Sequence, residues 1–414
     1  MASLLGIMKL LLETLPKVIL NGWALTLLLV AVLLVYIQYR RVEAKEAELY
    51  GVAKHSPLEQ TFYSLVVGLF GGAVGSTVVT LAGVGLVNVP GTPSALLYLW
   101  PISVILGAIN PRHFCFAYSG ALVSLASLIL GWPNVDVPSV MGLVAVLHMV
   151  EALLIWLNGA TCATPLSISG RLEEAVPGFM IQRFWPVPLV LPIFSAVSGS
   201  PVDMPMWWPL FRPDQFLDNA VAFGWQFVPF VVTMGYTDLA ITAPPEVRAK
   251  QSSGIMFAFS ALLLALAIGG GLWEPLTWLA VLFSALGHEA MAVWSGRVQL
   301  LGEPYLKRPA KGVGVLDVLP GSSALAAGLA PGSVILSVDD FEVHTRQELH
   351  EALMAAQVYV RIMYRHGRQL EQCRLPRPPE GLFGLGVILL PEPGDRPVAR
   401  LRRPVLFRKT TLER

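Results

Sequence analysis

The sequence predicts an α-helical polytopic membrane bundle of about seven to nine transmembrane helices, followed by a small α+β module. Three observations predict it. Of 414 residues, 54% are hydrophobic and only 14% charged, with a mean hydropathy of +0.61, whereas ordinary soluble domains are about a quarter charged. Apolar runs near the ~20 residues that cross a bilayer recur through the first 300 positions. Between residues 312 and 390 the pattern switches to period-two runs broken by turn residues. The chain therefore divides into a transmembrane domain over 1–300, a module over 305–391 and a basic tail over 392–414.

The bundle is justified run by run. Residues 2–15 are apolar but carry Lys9 and Glu13, and read as an interfacial amphipathic helix or as part of a span. The run 18–37 is a retained span, because Gln38-Tyr39-Arg40-Arg41 follows it where a small-residue cleavage site would stand. In 62–87, Gly68, Gly71, Gly72, Gly75, Gly83 and Gly85 let neighbouring helices approach closely. The runs 96–109, kinked by Pro101, 114–130, 140–157, 255–268 and 273–293 bring the count to seven. Two further candidates are 187–197, proline-flanked and either re-entrant or spanning, and 216–234, interrupted by Asp218 and Gln226.

Loops near 40–54, 112, 171–183, 248–250 and 297–311 carry Arg or Lys, and those near 88–94, 132–138 and 271–274 carry none. The positive-inside rule then makes the basic side, and the module with it, cytoplasmic. Arg396, Arg400, Arg402, Arg403, Arg408, Lys409 and Arg414 form a tail that either sits on anionic headgroups or stays solvated. A net charge of +1 gives no footprint for nucleic acid. Cys115, Cys162 and Cys373 are scattered, which argues against a disulfide framework and a thiolate zinc site.

In the module, Gly312 to Val318 alternates as a strand, Ala324 to Leu329 makes a short helical turn stopped by glycine, and Val334 to Val338 is the next strand. Asp339-Asp340 falls where a two-residue hairpin turn belongs. Thr345 with Glu348 is a capping box opening a helix over 346–356, on which Leu349, Leu353 and Ala356 share a face. Strands follow at 358–364, 369–375 and 386–390. The order of elements, the phrase Val318-Leu319-Pro320-Gly321-Ser322-Ser323-Ala324, and Ala327-Gly328-Leu329 with Pro331-Gly332-Ser333-Val334-Ile335 resemble a PDZ domain in the circularly permuted bacterial form. In that resemblance Gly384-Leu385-Gly386-Val387 stands for the carboxylate-binding loop, where glycines let backbone N–H groups converge on a peptide terminus. The peptide would add as a strand beside Gly386, Val387, Ile388 and Leu390. Arg346 and His350 would face the groove and favour an acidic or hydroxyl side chain; the alternative is that both are solvated helix positions.

Ionisable groups inside the spans are functional candidates by default. His148 and Glu151 share a helix face, and His288-Glu289 lies in the last span. A zinc site using His148, Glu151 and His288 is open on residue type, although no metal and no cofactor is expected. His288-Glu289 resembles the start of the site-2 protease motif His-Glu-x-x-His, but Ala292 stands where the second histidine belongs. No catalytic residue is assigned, and the expected role of these groups is interhelical hydrogen bonding.

The phrases 147–155, 178–189 and Ala285-Leu286-Gly287-His288-Glu289, together with the PDZ wording, resemble the MinJ family of Gram-positive cell-division topological determinants. That resemblance implies a multi-pass cell-membrane scaffold with protein partners, DivIVA-like and MinD-like, acting in division-site placement, and no enzyme. An intramembrane metalloprotease and, behind it, a transporter favoured by the glycine-rich span are the alternatives.

Overall fold

A computed structural model describes residues 21–169, 174–196, 208–211 and 223–398, together with Glu13 and Pro16. The expectations for 2–15 as a whole, for Arg171 and for the tail beyond Val398 lie outside the described residues. Seven described helices cover the seven runs: α1 (Gly22–Tyr50), α2 (Pro57–Ala82), α3 (Leu96–Ile109), α4 (Phe116–Leu130), α5 (Val137–Asn158), α6 (Pro245–Gly270) and α7 (Glu274–Leu301). Five of them, all but α3 and α4, are long and apolar enough to cross a membrane. Helix α1 starts at Asn21, whose side chain accepts the N–H groups of Trp23 and Ala24. Helix α2 stops short of residue 87 because Gly83 turns left-handed at φ 64° and closes it.

The short helices have a spatial consequence. At 14 and 15 residues, α3 and α4 rise about 21–23 Å, less than the ~30 Å hydrocarbon core. Their connecting turn ends against the middle of α5 and α7, where Cys115 meets His148 and His288. The pair is thus a hairpin inserted part way into the bundle.

The two additional spans are strands, which corrects the purely helical reading of residues 1–300. Their described parts, 187–196 and 223–234, lie in a long antiparallel pair of β3 (Ala175–Ala196) and β4 (Phe223–Ala240), matched from Phe179↔Ala240 to Ala196↔Phe223. On the other edge of β3, β2 (Ala163–Ser169) pairs antiparallel at one end and β1 (Leu86–Asn88) pairs parallel at the other. The prolines explain the choice. Pro186, Pro188 and Pro192 would break a helix repeatedly but suit a strand edge without a partner. Between β2 and β1 that edge faces α2, and its donors are removed or bonded. The N–H of Phe184 donates to the Tyr39 hydroxyl at 3.3 Å and that of Val190 to Ser76 Oγ at 2.9 Å, while 186, 188 and 192 have no N–H to satisfy. Such completeness is what backbone buried among apolar helices requires. Gly68 and Gly72, one turn apart, admit the strand: a Cβ at either would collide with the carbonyl of Pro186 or Pro188.

The module follows the predicted order: β5 (Val313–Val318), α8 (Ser323–Ala326), β6 (Val334–Val338), β7 (Phe341–Glu342), α9 (Arg346–Ala355), β8 (Tyr359–His366), β9 (Gln369–Pro376), α10 (Leu382–Leu385) and β10 (Val387–Leu389). Its sheet runs β10-β5-β6-β8-β9 with β7 on β6. Asp339 and Asp340 take φ of 48° and 70°, the left-handed pair a two-residue hairpin needs. Thr345 Oγ accepts the Glu348 N–H at 3.1 Å, while Glu348 reaches one residue further back, to the N–H of His344. Val315, Ile335, Val338, Leu349, Leu353 and Val360 form a core of its own. On the opposite face Leu316, Ile388 and Leu390 join the apolar cluster of the bundle through Tyr305 and Leu306.

The α1–α2 turn, the end of α5, the start of α6 and the end of α7 share the side on which the module docks. Lys54 in that turn pairs with Asp317 of β5, and the Tyr305 N–H donates to Ile241 O at 2.9 Å. Lys54, Arg248, Lys250, Arg297 and Lys311 belong to this side, whereas residues 83–95, 131–136 and 271–273 at the other side contain no Lys or Arg.

Candidate functional site

Two groupings of the sequence-predicted residues emerge, one in the module and one inside the bundle. In the module, β10 is a terminal strand bonded only to β5, so its other edge offers unpaired backbone groups beside α9. Val387 and Leu389 pack toward the module core and Ile388 toward the bundle, as alternation along a strand dictates. Ile388 is therefore a docking residue instead of a groove residue. Leu385 is fully buried beneath the loop. Gly386, at φ 76°, adopts the left-handed turn that lets the chain pass from α10 into β10.

The loop itself is wound into a helical turn. The N–H of Leu385 donates to Gly381 O at 3.1 Å and that of Gly386 to Phe383 O at 3.2 Å, so two of the donors expected to converge on a carboxylate are engaged internally, and Gly384 sits within the same turn. His350 stands at this end, its Nδ1 accepting the Leu382 N–H at 3.4 Å. Arg346 stands at the other end and is bonded to the segment after β10: its guanidinium pairs with Asp395 at 2.8 Å and its N–H donates to Glu392 at 2.6 Å. An acidic side chain does meet Arg346, but the chain supplies it. Beyond Arg346 and Leu389 a cleft of about 260 Å³ opens between module and bundle, bordered by Tyr50, Ser167 and Val398.

Inside the bundle, α5 brings His148, α7 brings His288 and Glu289, and the α3–α4 turn brings Arg112 and Cys115. Cys115 Sγ lies 3.1 Å from His148 Nε2 and 3.9 Å from His288 Nε2. His148 Nδ1 sits 2.7 Å from Val144 O, and since a carbonyl only accepts, Nδ1 carries the proton. His288 Nδ1 is 3.2 Å from the Tyr118 hydroxyl, which donates to Glu289 at 2.8 Å; Arg112 holds the same carboxylate at 2.8 Å. One ligand atom each of Cys115, His148 and His288 lies within 4.8 Å of the others, a set that could hold a metal ion. Glu151, grouped with the histidines by sequence, is not among them. Tyr118 and Arg112 were missed as site residues, and Cys115 was read only as a scattered cysteine arguing against a thiolate zinc site, because all three come from a separate helical hairpin; the sequence signal was only that Cys115 and Tyr118, three apart at a helix start, share a face.

No protein-family model matches the chain. Among curated proteins it is similar to the cell division topological determinant MinJ of Bacillus subtilis, 22% identical over 233 residues, which cover 56% of this chain and 54% of that protein. The match thus spans about half the length of that relative, and it supports the MinJ-like resemblance read from the sequence. Among solved structures the chain is similar to the PDZ domain of the SdrC-like protein from Listeria monocytogenes, with 27% identity, coverage of 20% of this chain and 92% of that one, and a TM-score of 0.18.

Proposed function

We propose that the chain is a multi-pass membrane adaptor that presents a PDZ-type peptide-binding module at the cytoplasmic face and acts by recognition, without catalysis. The carrying observation is the free edge of β10 running beside α9 on a module held against the bundle. Strand addition there would supply main-chain hydrogen bonds, and the space over Val387 and Leu389 would supply side-chain selection. The collection of basic residues on the module's side favours a cytoplasmic location. The MinJ likeness favours a role in placing the division site, with DivIVA-like and MinD-like proteins as the proposed partners.

The test is capture of purified DivIVA-like and MinD-like proteins by the full chain in detergent, beside a chain truncated after Pro309. Binding that needs the module and drops at least tenfold on Gly386→Val supports the adaptor. Equal binding by the truncated chain, or loss of a measured proteolytic activity on Glu289→Gln, would overturn it.

A further inference from the structure

We infer that Cys115, His148 and His288 form an intramembrane binding site for a divalent cation of the zinc class, with three protein ligands and a fourth position open. The argument starts from hydrogen-bond bookkeeping. The Nδ1 of His148 is committed to Val144 O. The Tyr118 hydroxyl spends its proton on Glu289 and therefore accepts from His288 Nδ1. Both imidazoles thus turn a bare Nε2 lone pair toward Cys115. A thiol has one proton, so two acceptors face at most one donor, with His148 only 3% exposed. A cation resolves that imbalance, and these are its preferred ligands.

The two sulfur–nitrogen separations agree. Around a tetrahedral zinc with ordinary bond lengths, sulfur and nitrogen ligand atoms stand about 3.5 Å apart, and the observed separations of 3.1 and 3.9 Å bracket this value. The outer partners are those of a built site: a backbone carbonyl on one histidine and a Tyr118–Glu289–Arg112 chain on the other, each fixing tautomer and ring orientation. The ligands come from the α3–α4 turn, α5 and α7, so the ion fastens the inserted hairpin to two long helices at the depth where it turns.

The full chain, purified in detergent, stripped with chelator and dialysed against zinc or cobalt, tests this. About one equivalent of zinc by elemental analysis is expected, with cobalt giving a thiolate charge-transfer band and tetrahedral d–d bands. Cys115→Ser should remove the charge-transfer band. Tyr118→Phe should weaken zinc affinity about 10–100-fold with the ligands intact, and Glu151→Gln should leave it unchanged. Because the cobalt spectrum is read on the unmodified chain, a variant that fails to fold does not shield the inference. Absence of stoichiometric zinc together with octahedral, sulfur-free cobalt spectra would overturn it.

Discussion

At the scale of single residues, the α1–α2 turn carries a proton-dependent tie. Burial by itself would lower the His55 imidazole, but its hydrogen bond to Cys162 and its contact with Glu46 outweigh that and raise it to about 9. Glu46 is itself fully buried and accepts from His55 Nδ1 at 2.7 Å, from the N–H groups of Lys54 and His55, and from Thr164. A histidine raised above its unfolded value of about 6.5 contributes stability that is complete below that pH and is lost as pH climbs through about 9. The shift corresponds to on the order of 3 kcal/mol at most. Thermal unfolding in detergent should therefore show a midpoint that falls between pH 6.5 and 9.5 in the unmodified chain, with His55→Gln lower at pH 6.5 and a flatter dependence across the window. Parallel curves for the two proteins would refute the assignment. Nothing in the sequence marks this tie, since Glu46, His55, Cys162 and Thr164 fall into two stretches more than 100 positions apart.

At the scale of elements, legibility followed the length over which a single periodicity persists. The seven helices could be read because each apolar run extends over at least 14 residues with few charges, and the module because its turns are written in Gly, Pro and Asp at fixed offsets. The β3 strand was lost because both its faces are buried from Trp185 to Pro192, so its apolar run has no alternation to distinguish it from a span. The spacing of Pro186, Pro188 and Pro192 by two and four was the available signal, and it becomes decisive only once α2 is known to lie against that edge. The complementary signal in α2 is Gly68 and Gly72. Replacing Gly72 with Val would force the helix off the Pro188 carbonyl and weaken the Val190–Ser76 bond beside it. Overpacking costs about 1–3 kcal/mol in general, and here the obstacle is backbone, which cannot rotate away. The expected outcome is a drop of at least 5 °C in unfolding midpoint for Gly72→Val, against little change for Gly254→Ala, where a Cβ meets open space. Equal behaviour of the two variants would contradict the close approach of strand and helix.

At the scale of the whole molecule, the module is a part of the bundle's surface as well as a domain with its own core. Its docking face combines Leu316, Ile388 and Leu390 with one ion pair, Lys54 to Asp317, in which Asp317 is 6% exposed and also receives the N–H of Val318 at 2.8 Å. A buried pair is poor evidence of net stabilisation, but removing one partner strands the other and costs about 3–5 kcal/mol. Lys54→Met should therefore release the module from the bundle while leaving it folded, because its core residues are elsewhere. Limited proteolysis in the connection at 302–311 should accelerate at least tenfold, with the module surviving as a resistant fragment. Adding Asp317→Asn to Lys54→Met removes the stranded charge and should restore most of the protection. The same release would separate Arg346 and the end of β10 from the cleft bordered by Tyr50 and Ser167, so a peptide long enough to run past Arg346 should change affinity on Lys54→Met, whereas one ending at the loop should not. Unchanged cleavage in Lys54→Met would mean that the apolar face and the backbone bonds of Tyr305 to Ile241 and of Val398 to Ser167 hold the module in place, and the groove would then be oriented without help from the charge pair.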